Sequence, residues 1–260
     1  MRKNGKNVGK KLVIALLLVN SLSYVGARAY WYATGAVAAE LQRVREVGSS
    51  GVMNYFVAGN INQPERAFKF LEEKIDGGIT YVTYAETRGC SMKQIVNQVL
   101  ADAQQQNCKV RIFGISIGDY VSRFAESELD DVETIAINPE PHSKILKPYA
   151  GVGLKILTPL MEGATVPFGW LSHIPCIRGF SFAFLADQWR DLSYCFDAPH
   201  ITTNTLGVIC SSDDEFLQND VIADYFKGVP IVMVEGKHAD TQGNADAYAA
   251  AWDELMSQLG

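Results

Sequence analysis

Short apolar segments alternate with amphipathic segments along most of this chain. Six segments rich in β-branched and aromatic residues, each closed by glycine, proline or polar residues, predict β-strands. They are residues 52–58, 79–84, 109–113, 132–138, 205–210 and 230–235. Strands that alternate with helices and read as apolar runs form a mostly parallel sheet covered on both faces. The pattern therefore predicts an α/β fold with a mostly parallel central sheet flanked by helices.

Apolar residues at helical spacing predict the helices between these strands. The clearest are residues 64–74, 92–105 and 119–128, together with a last helix that Asn244 is expected to cap. Residues 36–47, with the sequence AVAAELQRVREV, are also predicted to be helical. Because each helix carries one apolar face, we expect that face to pack against the sheet.

Residues 142–203 interrupt the alternation between two predicted strands. This segment is too long for a single crossover connection, and it is rich in aromatic residues. We interpret it as a cap of short helices and loops over the strand ends; the alternative is an insertion that only completes the core. The main domain would then comprise residues 30–141 and 204–260. The cap side chains expected to line a substrate pocket are Trp170, Phe180 and Phe184.

The N-terminal segment has the pattern of an export signal. Residues 1–11 carry five basic residues and no acid, residues 12–19 are wholly apolar, and a small-residue cleavage site ends at Ala29. Either residues 1–29 are removed as a signal peptide, or they remain as a membrane anchor with the aromatic residues 30–32 at the interface. In both cases we expect the body to be exported, as a secreted or periplasmic protein or one held at the membrane.

Composition narrows the class of protein further. The chain has 260 residues, of which 48% are hydrophobic and 20% charged, which fits a globular protein rather than a disordered one. Its net charge of -6 does not favour binding to nucleic acid. The five cysteines form no C-x-x-C pair, so no zinc site is predicted. Cys176 and Cys195 would form a disulfide in an exported protein, or remain as free, half-buried thiols.

The segment 114–118, with the sequence GISIG, lies between a predicted strand and a predicted helix. Strand, G-x-S-x-G and helix in this order are typical of a nucleophile elbow, a tight turn that raises a serine hydroxyl above the sheet edge. Side chains two positions before and after the serine would collide with the neighbouring strand and helix, which explains the glycines. Ser116 is therefore the candidate nucleophile; the alternative is an ordinary turn with a capping serine.

A serine hydroxyl needs a base, and that base needs an orienting carboxylate. For an elbow serine the order along the chain is serine, acid, histidine. Among the four histidines, only His238 follows both the elbow and a strand-end acid. Asp214, in the loop after residues 205–210, is the candidate acid and Asp213 the alternative. An aspartate there would also suit a helix N-cap, so one of the two could cap while the other orients His238.

An oxyanion formed by attack on a carbonyl needs N–H donors that are already in place. One donor is expected to be the backbone N–H of Ile117, directly after the candidate nucleophile. The other is expected to come from the loop after residues 52–58, where Asn60, or Ile61 next to it, is the candidate.

Five motifs together resemble those of the α/β-hydrolase superfamily, over residues 52–259 with the cap unmatched. They are residues 58–60, 87–91, 114–118, 212–216 and 236–239. The resemblance implies an eight-stranded, mostly parallel sheet with a cap inserted after the sixth strand. Two positions depart from the superfamily pattern. Ala58 replaces the usual histidine of the oxyanion loop, and Asp119 stands where a second small residue is common.

The resemblance and the serine, aspartate and histidine together predict a serine hydrolase that acts on a small-molecule ester or lipid. The aromatic cap favours an apolar acyl or alkyl group, as in an esterase or a lipase-like enzyme. A peptidase or thioesterase of the same fold is the first alternative, and a non-catalytic binding protein the second. No cofactor, metal ion or nucleic-acid partner is expected.

Overall fold

A computed structural model of the chain describes residues 40–59, 63–83, 92–140, 145–150 and 198–260, together with the exposed residues Lys11 and Ile14. The N-terminal signal or anchor, the turn at residues 87–91 and most of the predicted cap lie outside these ranges. So do the candidate oxyanion donor Asn60, its neighbour Ile61, and the predicted pocket residues Trp170, Phe180 and Phe184. In the part that is described, no helix is both long and apolar enough to cross a membrane.

Seven strands form one sheet in the described residues, in the order β1-β3-β2-β4-β5-β6-β7. Neighbouring strands are parallel except for β1, which pairs with β3 antiparallel. This confirms the predicted mostly parallel sheet. The strands are β1 Glu40–Arg45, β2 Val52–Val57, β3 Gly78–Thr83, β4 Lys109–Ile115, β5 Val132–Ile137, β6 Thr205–Ser211 and β7 Ile231–Val234.

Helices cover both faces of the sheet. One face packs against α3 and α4, with α5 beside them, and the other packs against α1, α2 and α6. Two predicted helices have the predicted ends, whereas the one predicted at residues 64–74 is two short helices. The helices are α1 Pro64–Ala67, α2 Lys69–Glu72, α3 Met92–Gln105, α4 Asp119–Glu128, α5 Asn219–Tyr225 and α6 Ala245–Leu259.

Asn244 lies at the N-cap position of α6, as predicted, but its side chain forms no capping hydrogen bond. Its Nδ2 instead donates to the carbonyl oxygen of Glu235 at 2.6 Å. The side chain therefore links the start of the last helix to the end of the last strand.

The prediction of a helix at residues 36–47 is wrong for residues 40–45, which form the edge strand β1. Glutamate, leucine, glutamine and arginine favour helices in isolation, but the difference in propensity is small. Here the backbone pairs with β3, and the Arg45 guanidinium donates to the carbonyl oxygens of Glu72, Ile75 and Gly77. These long-range contacts outweigh the local preference.

The described start of the insertion packs into the core. Ile145 is fully buried and Leu146 is 7% exposed, and Leu146 forms an isolated antiparallel bridge with Leu217. Backbone hydrogen bonds join Lys147 N to Phe216 O at 2.7 Å and Gln218 N to Ile145 O at 2.8 Å. This short piece therefore belongs to the packing of the main domain.

Candidate active site

The turn after β4 has the strained geometry that an exposed nucleophile requires. Ser116 has φ +53°, a left-handed conformation that non-glycine residues rarely adopt. A Cβ on Gly114 would lie 2.5 Å from Asp119 Cα, and a Cβ on Gly118 would lie 2.2 Å from Val57 O. Glycine is thus required at position 114 by the helix α4 and at position 118 by the strand β2, in agreement with the collisions predicted from the sequence.

Ser116 does not act as a helix cap. The N-cap position of α4 is Gly118, and neither that helix nor the short 3-10 turn Ser116–Gly118 has a side-chain capping hydrogen bond. The hydroxyl of Ser116 instead lies 2.9 Å from Nε2 of His238.

Three residues that are far apart in sequence meet at the carboxyl ends of three parallel strands of the sheet, with β5 lying between the first and the second of them. Ser116 follows β4, Asp214 follows β6 and His238 follows β7. Besides its contact with Ser116, the imidazole places Nδ1 2.6 Å from Oδ2 of Asp214. Ser116 is 6% exposed, Asp214 3%, and the His238 side chain 12%. The arrangement allows Nδ1–H to donate to the carboxylate while Nε2 accepts the proton of the hydroxyl.

Asp214 binds both the histidine and the backbone of its own loop, but it is not the predicted helix cap, because the N-cap position of α5 is Gln218. Its Oδ1 accepts the backbone N–H groups of Phe216 and Leu217, at 2.8 and 2.9 Å, while its Oδ2 faces His238. The side chain of Asp213 is exposed, and its backbone N–H donates to Gly236 O. The structure thus brings Asp214, and not Asp213, to the histidine.

The electrostatics keep Asp214 ionised and His238 basic. Burial alone would raise the pKa of Asp214, but the hydrogen bonds from His238, Phe216 and Leu217 bring it below its usual value. Burial alone would lower the pKa of His238, but the hydrogen bond to Asp214 and the negative charge of Glu140 raise it above its usual value. A proton accepted by the imidazole would therefore be stabilised.

Glu140 is a site residue that sequence reasoning missed. It follows β5, and its Oε1 lies 3.5 Å from Nε2 of His238. Its backbone N–H donates to the carbonyl oxygen of Ser116 at 3.3 Å, and the residue is 6% exposed. A signal was available, since residues at the carboxyl ends of parallel strands share one edge. However, the sequence pattern marks residues 139–141 only as the end of the strand predicted at residues 132–138.

Asn138, a second residue that sequence reasoning missed, binds the carboxylate of Asp214. Its Nδ2 donates to Oδ2 of Asp214 at 3.0 Å, and its Oδ1 accepts from the Tyr248 hydroxyl at 2.9 Å. That hydroxyl also lies 2.9 Å from the hydroxyl of Ser211. Asn138 has φ +45°, a second strained residue at this edge. The network fixes the orientation of Asp214 relative to the last helix, which carries Tyr248.

The loop after β2 passes directly against the candidate nucleophile. A Cβ on Gly59 would lie 2.9 Å from Ser116 Cβ and 3.1 Å from Ile115 O, so only glycine fits there. Ala58 before it is 2% exposed and belongs to the core. Ile117 is the one candidate oxyanion donor that lies within the described residues. It follows Ser116 in the turn that leads into α4, and it is buried.

Asp119, the second departure from the superfamily pattern, is buried under the turn. It forms an ion pair with Arg123 at 3.3 Å, and both side chains are fully buried. Arg123 also contacts Glu126 at 3.0 Å and donates to Thr205 Oγ1 at 2.7 Å and Thr134 Oγ1 at 2.8 Å. Burial raises the pKa of Asp119 to about 6. The position accepts an aspartate because this arginine lies one helical turn further on.

The other histidines and the cysteines take no part in the chain of hydrogen bonds from Ser116 to Asp214, or lie outside the described ranges. His200 stacks on Tyr225, with ring centroids 3.9 Å apart, and its Nε2 lies 3.2 Å from the Tyr225 carbonyl oxygen. Cys108 and Cys210 are free thiols, whereas Cys176 and Cys195 fall outside the description. Within the described ranges no cluster of three or more histidine, cysteine, aspartate or glutamate side chains could hold a metal ion.

No protein-family model matches this chain, and no curated protein matches it in sequence. Solved structures do match. The MGS-M2 α/β-hydrolase enzyme from a Medee basin deep-sea metagenome library aligns with a TM-score of 0.60 and 12% identity, covering 84% of this chain and 93% of that one. The chain has the α/β-hydrolase fold.

Other α/β-hydrolase-like structures differ in the reaction their names state. A carboxylesterase structure from the ammonia-oxidizing thaumarchaeon Nitrososphaera gargenis aligns with a TM-score of 0.59 and 12% identity, covering 85% of this chain and 96% of that one. The haloalkane dehalogenase DatA from Agrobacterium tumefaciens aligns at 0.57 and 13%, covering 86% and 98%. At these identities the likeness concerns the fold, and the reaction must be argued from the site.

Proposed function

We propose that this protein is a serine hydrolase that cleaves carboxylic esters through an acyl-enzyme. Ser116 is the nucleophile, His238 the general base and acid, and Asp214 the residue that orients the imidazole. The observation that carries the proposal is the hydrogen-bonded chain from Ser116 Oγ to His238 Nε2, 2.9 Å, and from His238 Nδ1 to Asp214 Oδ2, 2.6 Å. This is the geometry that activates a serine hydroxyl.

In acylation, Ser116 Oγ attacks the ester carbonyl carbon while its proton passes to Nε2 of His238. The tetrahedral intermediate collapses when the imidazolium returns this proton to the leaving alkoxide. Water then attacks the acyl-enzyme with Nε2 as the base, and Ser116 takes the proton back as the acid is released. The ionised, buried Asp214 stabilises the imidazolium in both steps.

The oxyanion is proposed to be bound by the backbone N–H groups of Ile117 and Asn60, with Ile61 as the alternative to Asn60. The position of Ile117 at the start of α4 supports the first donor, because a helix N-terminus carries partial positive charge. The approach of Gly59 to Ser116 supports the second, because Asn60 is the next residue in the chain.

The proposed substrate is a small-molecule ester or lipid with an apolar acyl or alkyl group. This part rests on the sequence, through the aromatic residues of the insertion, with Trp170, Phe180 and Phe184 as the candidate contacts. Export, with residues 1–29 either removed or kept as a membrane anchor, is likewise proposed from the N-terminal pattern.

A fluorophosphonate probe tests the nucleophile directly. We expect the wild-type protein to be labelled and Ser116→Ala to be unlabelled, because the probe phosphonylates only an activated serine. Ser127→Ala is the matched control, since Ser127 is an exposed serine at the end of the same helix and should not affect labelling. An unlabelled wild type, or labelling that persists in Ser116→Ala, contradicts the proposal.

Turnover separates the remaining alternatives. A panel of p-nitrophenyl esters, thioesters and aminoacyl amides should show esters as the best substrates by kcat/KM. Faster turnover of thioesters or amides would instead indicate a thioesterase or peptidase of the same fold. Correct labelling without turnover of any acyl substrate would favour a binding protein.

A further inference from the structure

The Glu140 carboxylate lies beside the reacting atoms but is not part of the serine, histidine and aspartate chain. Its Oε1 is 3.5 Å from Nε2, the imidazole nitrogen that faces the hydroxyl, rather than near Nδ1, where Asp214 binds. The Ser116 hydroxyl also interacts with this carboxylate. Glu140 therefore lies on the substrate side of His238.

Within the described residues, no lysine or arginine side chain pairs with this carboxylate. Oε2 of Glu140 is buried and has no hydrogen-bond partner among the described residues. Besides its burial, the described groups that influence its pKa are His238, Asp214 and Ser116. The nearby Lys147 is engaged elsewhere, since its Nζ donates to the carbonyl oxygen of Asp214.

The rest of the described site adds negative charge rather than compensating it. Glu215 accepts the backbone N–H of His238 through Oε2 at 3.1 Å, and Asp214 is ionised. A buried carboxylate with an unpaired oxygen costs free energy, and such groups normally have a partner. A ligand that brings a positive charge would supply the missing partner.

The location of Glu140 limits where that positive charge must sit on a substrate. Once Ser116 Oγ bonds to the acyl carbon, a substituent on the adjacent carbon is three bonds from Oγ and so lies close to the reacting atoms that Glu140 faces. An ammonium at this carbon could donate a charge-assisted hydrogen bond to the carboxylate. A carboxylate at the same carbon would be repelled.

We propose that Glu140 is the subsite for an ammonium group on the carbon next to the scissile carbonyl, so that the preferred acyl groups are aminoacyl groups. The inference rests on the proposed acyl transfer at Ser116 and narrows its substrate class, so that the proposed apolar group is the side chain of the aminoacyl group or the alcohol. Burial raises the pKa of Glu140 in the free protein. A bound ammonium would counteract that rise, because an opposite charge favours the ionised carboxyl.

Three benzyl esters of nearly equal shape test the subsite: those of alanine, isobutyric acid and methylmalonic acid. They place an ammonium, a methyl group or a carboxylate at the same carbon, and product is followed by chromatography at pH 7. We expect wild-type kcat/KM to fall in the order alanyl, isobutyryl, methylmalonyl. The alanyl ester should exceed the isobutyryl ester about 10- to 100-fold, the range for a hydrogen bond to a charged group.

Glu140→Gln should bring the ratio of alanyl to isobutyryl kcat/KM close to one, whatever its effect on the isobutyryl rate itself. Glu235→Gln is the matched control, because it removes a negative charge from an exposed strand-end residue. An isobutyryl ester as good as the alanyl ester in the wild type overturns the inference, and this comparison needs no variant. An equal loss on both esters in Glu140→Gln also overturns it.

Fluorophosphonate labelling distinguishes these outcomes from failure of the proposed function. If the wild type is labelled at Ser116 but shows no preference for the alanyl ester, only the subsite is wrong. If the wild type is not labelled and turns over none of the three esters, the hydrolase proposal itself fails.

Discussion

In the described part of the chain, the charged side chains beneath Ser116 and those beside it are buried alike, but only the first set includes an arginine. Beneath the turn, Arg123 is enclosed by Asp119 and Glu126 and donates to threonine hydroxyls. Beside it, Asp214 and Glu140 share only His238. A buried carboxylate with a fixed arginine is a structural element. A buried carboxylate whose positive partner is an imidazole loses that partner when the imidazole is neutral, so it can bind a proton or a charged ligand.

Asp214→Asn should give the largest loss of activity, and it should leave the stability of the fold nearly unchanged. The amide can still accept from the backbone at Phe216 and Leu217, but it would no longer fix the tautomer of His238 or stabilise the imidazolium. We expect kcat/KM to fall about 10⁴-fold, with little change in urea unfolding.

Asp213→Asn, at the adjacent exposed aspartate, is the control and should leave kcat/KM within about twofold, as for an exposed surface change. If the two variants lose activity equally, the assignment of the acid to Asp214 is wrong.

Arg123→Met should give the opposite result, a loss of stability without a matching loss of catalysis. Removing the cation leaves two buried carboxylates unpaired, which typically costs about 3–5 kcal/mol in the free energy of unfolding. Urea denaturation measures this, and kcat/KM per folded molecule should stay near the wild-type value.

The half-buried Arg111, which pairs with Glu133 at 2.6 Å, provides a contrast. Arg111→Met should cost less than about 1 kcal/mol, as for partly exposed ion pairs. Equal costs for the two arginines would remove the distinction between the charges beneath the turn and ordinary ion pairs.

A shift in pH dependence is the smallest expected effect and concerns the second set of charges. His238 must be neutral to act as a base, so kcat/KM falls as pH drops through its pKa. Because the negative charge of Glu140 helps to raise that pKa, Glu140→Gln should move the acid limb to lower pH. The isobutyryl ester is the appropriate substrate, since it carries no ionisable group. An acid limb that stays in place, or moves to higher pH, would contradict the electrostatic coupling.

The sequence predicted best what depends on local pattern. The ends of α3 and α4 agree with apolar spacing, and the glycines around Ser116 predicted the turn because steric exclusion leaves few other residues possible. The strand β1 was mispredicted because its conformation depends on pairing with β3 and on Arg45, contacts that no local propensity contains.

The residues that sequence reasoning missed all depend on contacts between distant segments. Glu140 carries no motif and becomes recognisable only when β5 lies next to β4 and its carboxylate meets His238. The cluster around Arg123 likewise needs Thr134 and Thr205 from two further strands. Spacing identified a serine, an acid and a histidine in the right order, but not which other charges would surround them.

The bridge between Leu146 and Leu217 has a practical consequence for exchanging the insertion with that of another protein. Residues 145–147 are joined by backbone hydrogen bonds to the loop that holds the acid, so cutting the chain at residue 142 would remove support from Asp214. A chimera that replaces residues 151–197 and retains Ala150 and Ala198 keeps this support. An exchange of the insertion that is meant to change substrate specificity should therefore begin at residue 151 and not directly after β5.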